Sequence, residues 1–381
     1  MKPILTLDRH PFFWALVDPS APSDLPTTLP FRLGVHPRFA VPRQVLTDDI
    51  RAALDRVYAI GSMPSTPLGE SPLARERLNQ TLDQLVTLFG GDVSGRKFLE
   101  LGSGNGEFLH ALAQRGAQVT GLEIGPQARV ATERYGIRVI NEYFKPGLLN
   151  EKFDAIYSYG CLEHIIELDE VFAASRECLH EGGLFFHSVP NSAPLFAAGS
   201  LGHLAHEHVN YFTPPNAVRL FEAQGFMSAS FQPTPAQNEV MVWGRYDSSV
   251  QPRWPVEAVA AEEDELRRSV DKLQTETDRI RAAFRDLVAS GESVGFYAGG
   301  YEYSLMVPGG AVRYFDGDSY KHGKAWLTGL PAIEPPEALQ SNPVDHLVIC
   351  RPHYFDVIVK RLRGIPVSAT KFWNIDSIGR H

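Results

Sequence analysis

The chain contains little cysteine and no long apolar run. Its 381 residues include only three cysteines, at positions 161, 178 and 350, and their spacing fits neither a metal site nor a disulfide framework. No apolar run approaches the roughly 18 residues of a membrane-spanning helix, and the N-terminus lacks the charged-then-apolar pattern of a secretory signal. We therefore expect a cytoplasmic protein that does not bind membranes.

The chain also lacks an excess of basic residues. Its 36 lysines and arginines stand against 45 acidic residues, which gives a formal net charge of -9. No stripe rich in lysine and arginine occurs, so we expect no nucleic-acid partner. Internal repeats and low-complexity segments are absent as well, and the length suffices for two domains with a sizeable core.

A glycine-rich loop follows a strongly apolar strand pattern. Residues 97–107 are Lys-Phe-Leu-Glu-Leu-Gly-Ser-Gly-Asn-Gly-Glu, and a helix pattern follows that ends at Gly116. The next predicted strand, 119–122, ends in Glu123, about 20 residues after the first glycine, where ribose-binding acids lie. Glycines let the backbone turn tightly and approach a ligand closely, so the loop is a candidate binding site.

The acidic residues around the loop distinguish between two kinds of ligand. A dinucleotide fingerprint has its third glycine one position later and leaves the next helix N-terminus free for pyrophosphate. Here Glu107 follows the third glycine and would repel a phosphate, and Glu100 precedes the loop. S-adenosylmethionine (SAM), which carries a sulfonium, an ammonium and a ribose but no phosphate, fits this pattern.

The elements after the loop keep the order of one enzyme class. Strand patterns at 139–143, 153–158 and 182–190 would be the third to fifth strands, with 226–231 and 239–245 as a closing pair. In this order the sequence resembles the class I SAM-dependent methyltransferases, which implies an α/β fold with a Rossmann-like seven-stranded sheet and SAM as cofactor. An α/β domain that binds another ligand is the alternative.

The resemblance implies cofactor-binding residues in the loop, at the tip of the second strand and after the fourth. For the histidine after the fourth strand, His164, a position in the core is an equal alternative. The set comprises Glu100, Gly102, Ser103, Gly104, Asn105, Gly106, Glu123, Ile124, Ser158, Tyr159 and His164.

Composition divides the chain into four regions. Residues 1–93 form an N-terminal region, which is rich in proline and aromatic residues with little periodicity up to residue 50 and helical in two pieces beyond it. Residues 94–250 are the predicted SAM-binding domain and 251–290 a linking helix. Residues 291–381 are a second, smaller Rossmann-like α/β domain.

The linking helix carries a narrow apolar stripe. Its apolar positions alternate in steps of four and three residues from Leu266 to Leu287, a pattern typical of helices packed against each other. Either the stripe is buried within its own subunit or it is the seam of a dimer. We accordingly expect a monomer or a homodimer.

The C-terminal unit resembles a dinucleotide-binding fold in its order of elements. Its glycines at 295, 299 and 300 do not form the dinucleotide fingerprint, however. A substrate-holding or purely structural lobe is therefore favoured over bound NAD.

A second motif indicates a smaller family within this class of methyltransferases. Residues 206–212 are His-Glu-His-Val-Asn-Tyr-Phe and lie between the fifth strand and a helix predicted at 216–224. This run resembles the His-Glu-His-x-x-Tyr-Phe signature of sugar C-methyltransferases, which methylate nucleotide-linked 4-keto-deoxysugars. The resemblance covers about residues 94–375, because 315–324, 330–339 and 345–350 are similar to the C-terminal domain of that family.

The chain departs from this family at three places, one of which is the family's Gly/Lys-rich turn in the C-terminal domain, replaced here by residues 299–303, Gly-Gly-Tyr-Glu-Tyr. The family usually opens with a zinc domain of four cysteines, but here His36 and Phe39 stand where cysteines would, and no cysteine precedes Cys161. We therefore expect a degenerate N-terminal domain and no metal site. Ala205 replaces a tyrosine that the family tends to carry before His-Glu-His, which leaves the methylated atom open.

The signature implies the catalytic residues. A carbon acceptor must lose a proton next to a carbonyl, and the enolate that forms must be stabilised. By the family's pattern His208 would be the base and Glu207 its helper, since an adjacent carboxylate raises the basicity of an imidazole. Tyr211 would give the substrate a hydrogen bond, and His206 completes the motif. The alternative is that these residues line the pocket without transferring a proton.

The sequence thus predicts SAM-dependent methyl transfer to a small-molecule acceptor, in first place C-methylation of a nucleotide-linked or otherwise activated keto-sugar. One alternative is O- or N-methylation of another small molecule on the same scaffold. The other is a non-catalytic SAM-binding scaffold, which the intact glycine loop and the His-Glu-His motif disfavour.

Overall fold

The computed structural model describes residues 1–21, 23–62, 67–68, 70–235, 238–307, 309, 312–365 and 370–380. Between the two predicted N-terminal helices the sequence is rich in proline, serine and glycine (residues 61–72), and this stretch lies partly outside the described residues. No helix in the described ranges is long and apolar enough to cross a membrane.

An antiparallel three-stranded sheet opens the chain, where the sequence shows little periodicity. β1 (Leu5–Pro11) pairs with β2 (Thr28–Val35), and β2 pairs with β3 (Pro42–Gln44). The two predicted helices follow as α1 (Asp48–Ile60) and α2 (Pro72–Thr87). Each begins at a hydroxyl residue, Thr47 or Ser71, whose side chain accepts a hydrogen bond from a first-turn N–H.

A seven-stranded sheet with helices on both faces follows, and it confirms the predicted Rossmann-like fold. The order is β6-β5-β4-β7-β8-β10-β9, in which only β10 runs antiparallel to its neighbours. The strands are β4 (Lys97–Leu101), β5 (Gln118–Leu122), β6 (Val139–Ile140), β7 (Phe153–Tyr159), β8 (Leu179–Pro190), β9 (Phe226–Pro233) and β10 (Glu239–Tyr246). The helices are α3 (Glu107–Ala113), α4 (Gln127–Tyr135), α5 (Leu168–Cys178), α6 (Ser192–Ala198) and α7 (Pro214–Ala223).

The strand order determines where a ligand can bind. The chain moves from β4 outward to β6 and then returns to β7 on the other side of β4, so the order reverses at β4. The loops that follow the carboxyl ends of β4 and β7 leave the sheet in opposite directions and open a crevice between them. Two apolar cores, one on each face of the sheet, hold these loops on a rigid base.

The long helix α8 (Val259–Ala289) buries its stripe within the subunit. It forms one apolar core with β2 of the N-terminal sheet and with the C-terminal lobe. The stripe therefore connects those two units, and its predicted burial inside the subunit is what the structure shows. Its buried apolar members are Leu266, Val270, Leu273, Ile280 and Phe284.

The C-terminal lobe confirms the second, smaller α/β domain. Its five strands are all parallel and lie in the order β13-β12-β11-β14-β15. The strands are β11 (Val294–Tyr297), β12 (Val312–Phe315), β13 (Ile333–Glu334), β14 (His346–Ile349) and β15 (Lys371–Asn374), with the helices α9 (Ala338–Ser341) and α10 (Phe355–Arg363).

We predict that Leu273→Asp destabilises the fold at every protein concentration. Leu273 is 4% exposed, so the change removes a buried leucine and buries an unpaired carboxylate, which should cost at least about 3 kcal/mol. Urea unfolding at two protein concentrations measures this loss, and Gln274→Asp on the exposed face of α8 is the matched control. A variant that only changes from a dimer to an equally stable monomer would show that the stripe also joins subunits.

Two buried histidines make the stability of the fold depend on pH. Nε2 of His10 in β1 donates to the carbonyl of Leu204 at 2.6 Å, and Nδ1 of His187 in β8 lies 2.7 Å from the Ser158 hydroxyl. Burial lowers the pKa of His10 to about 4 and that of His187 to about 3. Both imidazoles are therefore neutral in the folded protein at pH 7.

We predict that His10 and His187 each lower the free energy of unfolding as the pH falls from about 6.5 to about 4, whatever the buried carboxyl groups contribute to the total. In this range the histidines of the unfolded chain bind protons, whereas the buried histidines of the folded protein stay neutral. The stability that the neutral histidines contribute is therefore complete above pH 6.5 and is lost as the pH falls toward their folded pKa. For His10 it amounts to about 3 kcal/mol. His10→Gln keeps a donor for Leu204 but does not titrate, so urea unfolding should show a weaker pH dependence than in wild type. The control is His180→Gln at an exposed site, and an unchanged slope in His10→Gln would contradict the assignment.

Candidate active site

The glycine loop after β4 is shaped by contacts that leave no room for side chains. Gly102 and Gly106 have φ of +66° and +83°. A Cβ on Gly102 would lie 2.6 Å from Sγ of Cys161, and one on Gly106 would lie 2.7 Å from Cβ of Ala131. A Cβ on Gly104 would meet nothing within 4 Å. The loop is thus packed on one side and open at Gly104, where a ligand can approach the backbone.

Glu123, at the tip of β5, holds this loop by its side chain. Its carboxylate accepts the N–H of Gly104 at 2.9 Å and the N–H of Gly125 at 2.7 Å, while its carbonyl accepts from the Asn141 amide at 2.7 Å. A carboxylate has about four lone-pair sites, so Glu123 retains acceptors for ribose hydroxyls. The half-buried Ile124 lies beside it.

Glu100 lies under the loop rather than on its surface. It is 3% exposed and accepts a hydrogen bond from the Tyr157 hydroxyl at 3.0 Å. Burial holds the pKa of this carboxyl well above its usual range. Because the side chain is buried, it offers little surface to a ligand. Ser103 donates its N–H to the Leu122 carbonyl at 3.0 Å. The half-buried Asn105 forms the outer turn of the loop.

The two predicted residues at the end of β7 have different surroundings. Ser158 is fully buried, and its hydroxyl lies 2.7 Å from Nδ1 of His187. The hydroxyl of Tyr159 donates to Glu239, with its oxygen 3.2 and 3.1 Å from the two carboxylate oxygens, and the same carboxylate forms an ion pair with Arg77. Burial followed by the charge of Glu239 raises the pKa of Tyr159. This network fixes the end of β7 at the crevice.

The first histidine of the 206–212 motif belongs to the core. His206 is fully buried among aromatic rings, with its ring centroid 5.5 Å from that of Phe12 and 5.4 Å from that of Phe31. Its Nδ1 accepts from the Gln44 amide at 2.9 Å. The residue therefore anchors the loop to the N-terminal sheet.

Tyr211 fixes the loop from its other end. Its hydroxyl donates to the Ala205 carbonyl at 3.1 Å and accepts the N–H of the same residue at 3.2 Å. The hydroxyl is thus already used both as a donor and as an acceptor, and Tyr211 is 1% exposed. The predicted hydrogen bond to a substrate would have to replace one of these contacts.

Glu207 does not face the histidine that follows it. Its buried carboxylate accepts a hydrogen bond from the Ser62 hydroxyl at the end of α1, and burial raises its pKa to about 8. The structure thus turns the predicted helper of His208 toward the N-terminal region.

The acid near His208 is Glu163 instead, which the sequence reasoning did not select. A short 3-10 turn, Leu162–His164, follows β7 and carries Glu163 and His164. Three possible ligand atoms, one from each of Glu163, His164 and His208, all lie within 4.8 Å of one another. Such a group could hold a metal ion. Nε2 of His164 is 3.8 Å from Oε1 of Glu163, and the two imidazole centroids are 5.1 Å apart. The signal in the sequence was the acid directly beside the predicted His164.

Main-chain hydrogen bonds hold this cluster in place. The carbonyl of Glu163 accepts the N–H groups of Val209 and Asn210 at 2.8 and 2.9 Å, and the Asn210 amide donates to the Ile165 carbonyl at 2.7 Å. The turn after β7 and the loop after β8 therefore form one unit.

Burial dominates the electrostatics of the cluster. It lowers the pKa of His164 to about 3 and that of His208 to about 4, and it raises the pKa of Glu163 to about 8. The thiol of Cys161, which lies between this cluster and the glycine loop, has its pKa raised by burial and then by the charges of Glu163, Glu123 and Glu100. The close approach of Gly102 to Cys161, two residues before Glu163, brings the cofactor loop next to the segment that carries the cluster.

Part of the chain is similar to known methyltransferases. Residues 74–229 match the family model described as a methyltransferase domain. The ubiquinone biosynthesis O-methyltransferase of Aeromonas salmonicida (strain A449) is 25% identical over 160 residues, which cover 37% of this chain and 67% of that protein. The C-methyltransferase NovU of Streptomyces niveus is 30% identical over 142 residues, which cover 35% of this chain and 34% of that protein.

A solved structure extends the comparison. The N-methyltransferase NodS from Bradyrhizobium japonicum WM9, in complex with S-adenosyl-L-homocysteine, is 21% identical with a TM-score of 0.39, and the match covers 53% of this chain and 100% of that chain. The match spans between about a third and two thirds of the length of these curated relatives.

The class of the central domain follows from the topology, the glycine loop and the family match. Residues 74–229 form a class I SAM-dependent methyltransferase domain, and S-adenosyl-L-methionine is its cofactor. The predicted enzyme class is confirmed at the level of this domain. The roles of the individual site residues and the sugar C-methyltransferase signature stay predictions.

We predict that Glu123→Ala weakens SAM binding by about 10- to 100-fold in titration calorimetry. The change removes a charged acceptor for ribose hydroxyls, and hydrogen bonds to charged groups contribute about 1.5–3 kcal/mol. Gly104→Val should also bind poorly, because a β-branched residue is strained at the φ of +52° found there. Glu133→Ala, on the exposed side of α4, is the control. Wild-type affinity in Glu123→Ala would overturn the ribose assignment.

Proposed function

We propose that the protein transfers the methyl group of SAM to a carbon atom of a small-molecule acceptor, and that this acceptor is a nucleotide-linked or otherwise activated keto-sugar. The observation that carries the proposal is the grouping of Glu163, His164 and His208 beside the cofactor loop. The reaction would take place between the sulfonium methyl and this cluster.

The rigid surroundings of the crevice support a transfer reaction. Methyl transfer is an in-line displacement with a good leaving group, so the enzyme mainly has to orient donor and acceptor, which can contribute about 7–11 kcal/mol. Glu123 fixes the cofactor loop through two N–H groups, and Tyr211 and Asn210 fix the opposite loop. Both reactants would thus be held by elements that need little reorganisation.

The chemistry of the cluster supports a carbon acceptor. A carbon next to a carbonyl has to lose a proton, and the enolate has to be stabilised in the site. Two imidazoles and one carboxylate, all largely buried in the segments that follow β7 and β8, are the groups for such a step. His208 is the group on which we expect turnover to depend most.

The C-terminal lobe is suited to hold the distal part of the acceptor. Open parallel sheets bind ligands beyond the carboxyl ends of their strands. The turn after β11 packs against the segment that leads into the motif loop, since a Cβ on Gly202 would lie 2.7 Å from Oε1 of Glu302. Asp316, after β12, pairs with Lys321 at 2.7 Å and is 5% exposed. Polar groups thus lie at the carboxyl-end edge of the lobe's sheet.

O-methylation is the second candidate, and one observation favours it. Glu207 is turned to Ser62 and the Tyr211 hydroxyl is engaged with Ala205, so two groups expected to assist a carbon acceptor have other partners. An oxygen acceptor needs the loss of one proton at most, and orientation can suffice.

The test is methyl transfer from isotope-labelled SAM to a panel of nucleotide-linked 4-keto-sugars. With C-methylation, deuterium from the solvent should enter the acceptor carbon even without SAM. His208→Ala should lower turnover by about 10²–10⁴-fold with nearly unchanged SAM affinity, while the exposed-site control His180→Ala should behave like wild type.

Two results would contradict the proposal in different ways. Near-normal turnover in His208→Ala, with the label on an oxygen, would favour the O-methyl candidate. SAM binding without transfer to any acceptor of the panel would favour a non-catalytic scaffold.

A further inference from the structure

We propose that Glu163, His164 and His208 bind a divalent transition-metal cation, and that this cation holds an oxygen atom of the acceptor. The second half of the inference rests on the proposed function, whereas the binding of the cation does not. The sequence alone predicts no metal site, because the three residues are brought together only by the pairing of two distant loops.

The distances suit ligands of one ion. Metal–ligand bonds to imidazole nitrogen and carboxylate oxygen are about 2.0–2.2 Å, so two ligands of one ion are separated by at most about 4.4 Å. The three ligand atoms lie within 4.8 Å of one another, and His164 Nε2 and Glu163 Oε1 are 3.8 Å apart. Side-chain movements of a few tenths of an ångström would close the site around an ion.

The carboxylate of Glu163 lacks a counter-charge. Its side chain is 4% exposed, and its Oε2 has no hydrogen-bond partner among the described residues. No lysine or arginine of the described chain lies within ion-pair distance of it, whereas Glu239 at the same edge of the sheet is paired with Arg77. A buried carboxylate oxygen without a partner is costly, and a cation would satisfy it.

The main chain holds the ligands in position before any ion binds. Glu163 and His164 lie in one short turn, and the Glu163 carbonyl accepts two N–H groups from the residues directly after His208. The N–H of His208 itself donates to the Ala205 carbonyl at 3.1 Å. A site whose ligands sit on hydrogen-bonded loops loses little entropy on binding.

The ligand set indicates the kind of ion. Two imidazoles and one carboxylate suit Zn²⁺, Mn²⁺ or Fe²⁺ better than Mg²⁺ or Ca²⁺, which prefer sites made of oxygen ligands alone. Three protein ligands leave at least one coordination position open. An acceptor oxygen in that position would have its developing negative charge stabilised by the cation. His208 would then act as a ligand rather than as the predicted general base.

The first experiment measures binding of the metal alone. The purified full chain is treated with a chelator, dialysed and titrated with Zn²⁺ and, separately, Mn²⁺ in a calorimeter. We expect one ion per chain, and we expect Glu163→Gln, His164→Ala and His208→Ala each to weaken binding at least tenfold. His180→Ala removes an exposed histidine outside the cluster and should bind like wild type. Wild-type protein that binds no ion, or variants that bind as well as wild type, would overturn the inference.

A second readout covers variants that fold poorly. An ion that binds the folded protein raises its melting temperature, so Zn²⁺ should stabilise wild type and His180→Ala but not Glu163→Gln. Glu163→Asp keeps a carboxylate at this position. If that carboxylate is a metal ligand, Zn²⁺ should raise the melting temperature of this variant by part of the wild-type amount. An equal shift in wild type and Glu163→Gln would place the ion elsewhere and overturn the site.

Metal binding and methyl transfer can be measured on the same purified protein, and the two measurements test the metal site and the proposed function independently. Stoichiometric binding at these three residues without transfer to any keto-sugar would remove the proposed acceptor and leave the metal site standing. Transfer that is unchanged after complete removal of metal, in protein that binds no added ion, would remove the metal site and leave the proposed function standing.

Discussion

The main-chain carbonyl of Glu163 accepts two N–H groups, one from Val209 and one from Asn210, and the candidate site depends on this contact. It joins the turn after β7 to the loop after β8, which is possible because β7 and β8 are parallel neighbours whose carboxyl ends meet. The two histidines of the cluster come from these two segments. Tyr211 and His206 then fix the far ends of the loop to Ala205 and to the N-terminal sheet.

Most of the central domain could be predicted from local signals. The strand Lys97–Leu101, the glycine turn after it and the acid at the tip of β5 are encoded within short windows, because strand patterns and positive-φ glycines depend mainly on neighbouring residues. The order of elements then fixed the topology, since parallel strands joined by helices permit few arrangements. The second α/β unit was visible for the same reason.

The pairing of side chains within the site could not be predicted in this way. Adjacency in the sequence suggested Glu207 as the partner of His208, yet consecutive residues of a loop point in different directions, and the structure sends Glu207 to Ser62. The acid that does approach His208 is separated from it in the sequence by the helices α5 and α6 and the strand β8. The N-terminal sheet was missed because Pro30 and Pro42 lie in its strands and β3 has only three residues.

The way the N-terminal sheet is packed also determines whether this part of the chain can fold on its own. Between β2 and β3, His36 stacks on Phe39 with ring centroids 3.8 Å apart, and β2 buries Phe31 and Leu33 in the core that contains α8. So few residues cannot form a stable core alone without metal or disulfides. The segment is therefore not a detachable module: cut from the chain it would unfold, and the remainder would expose the apolar stripe of α8.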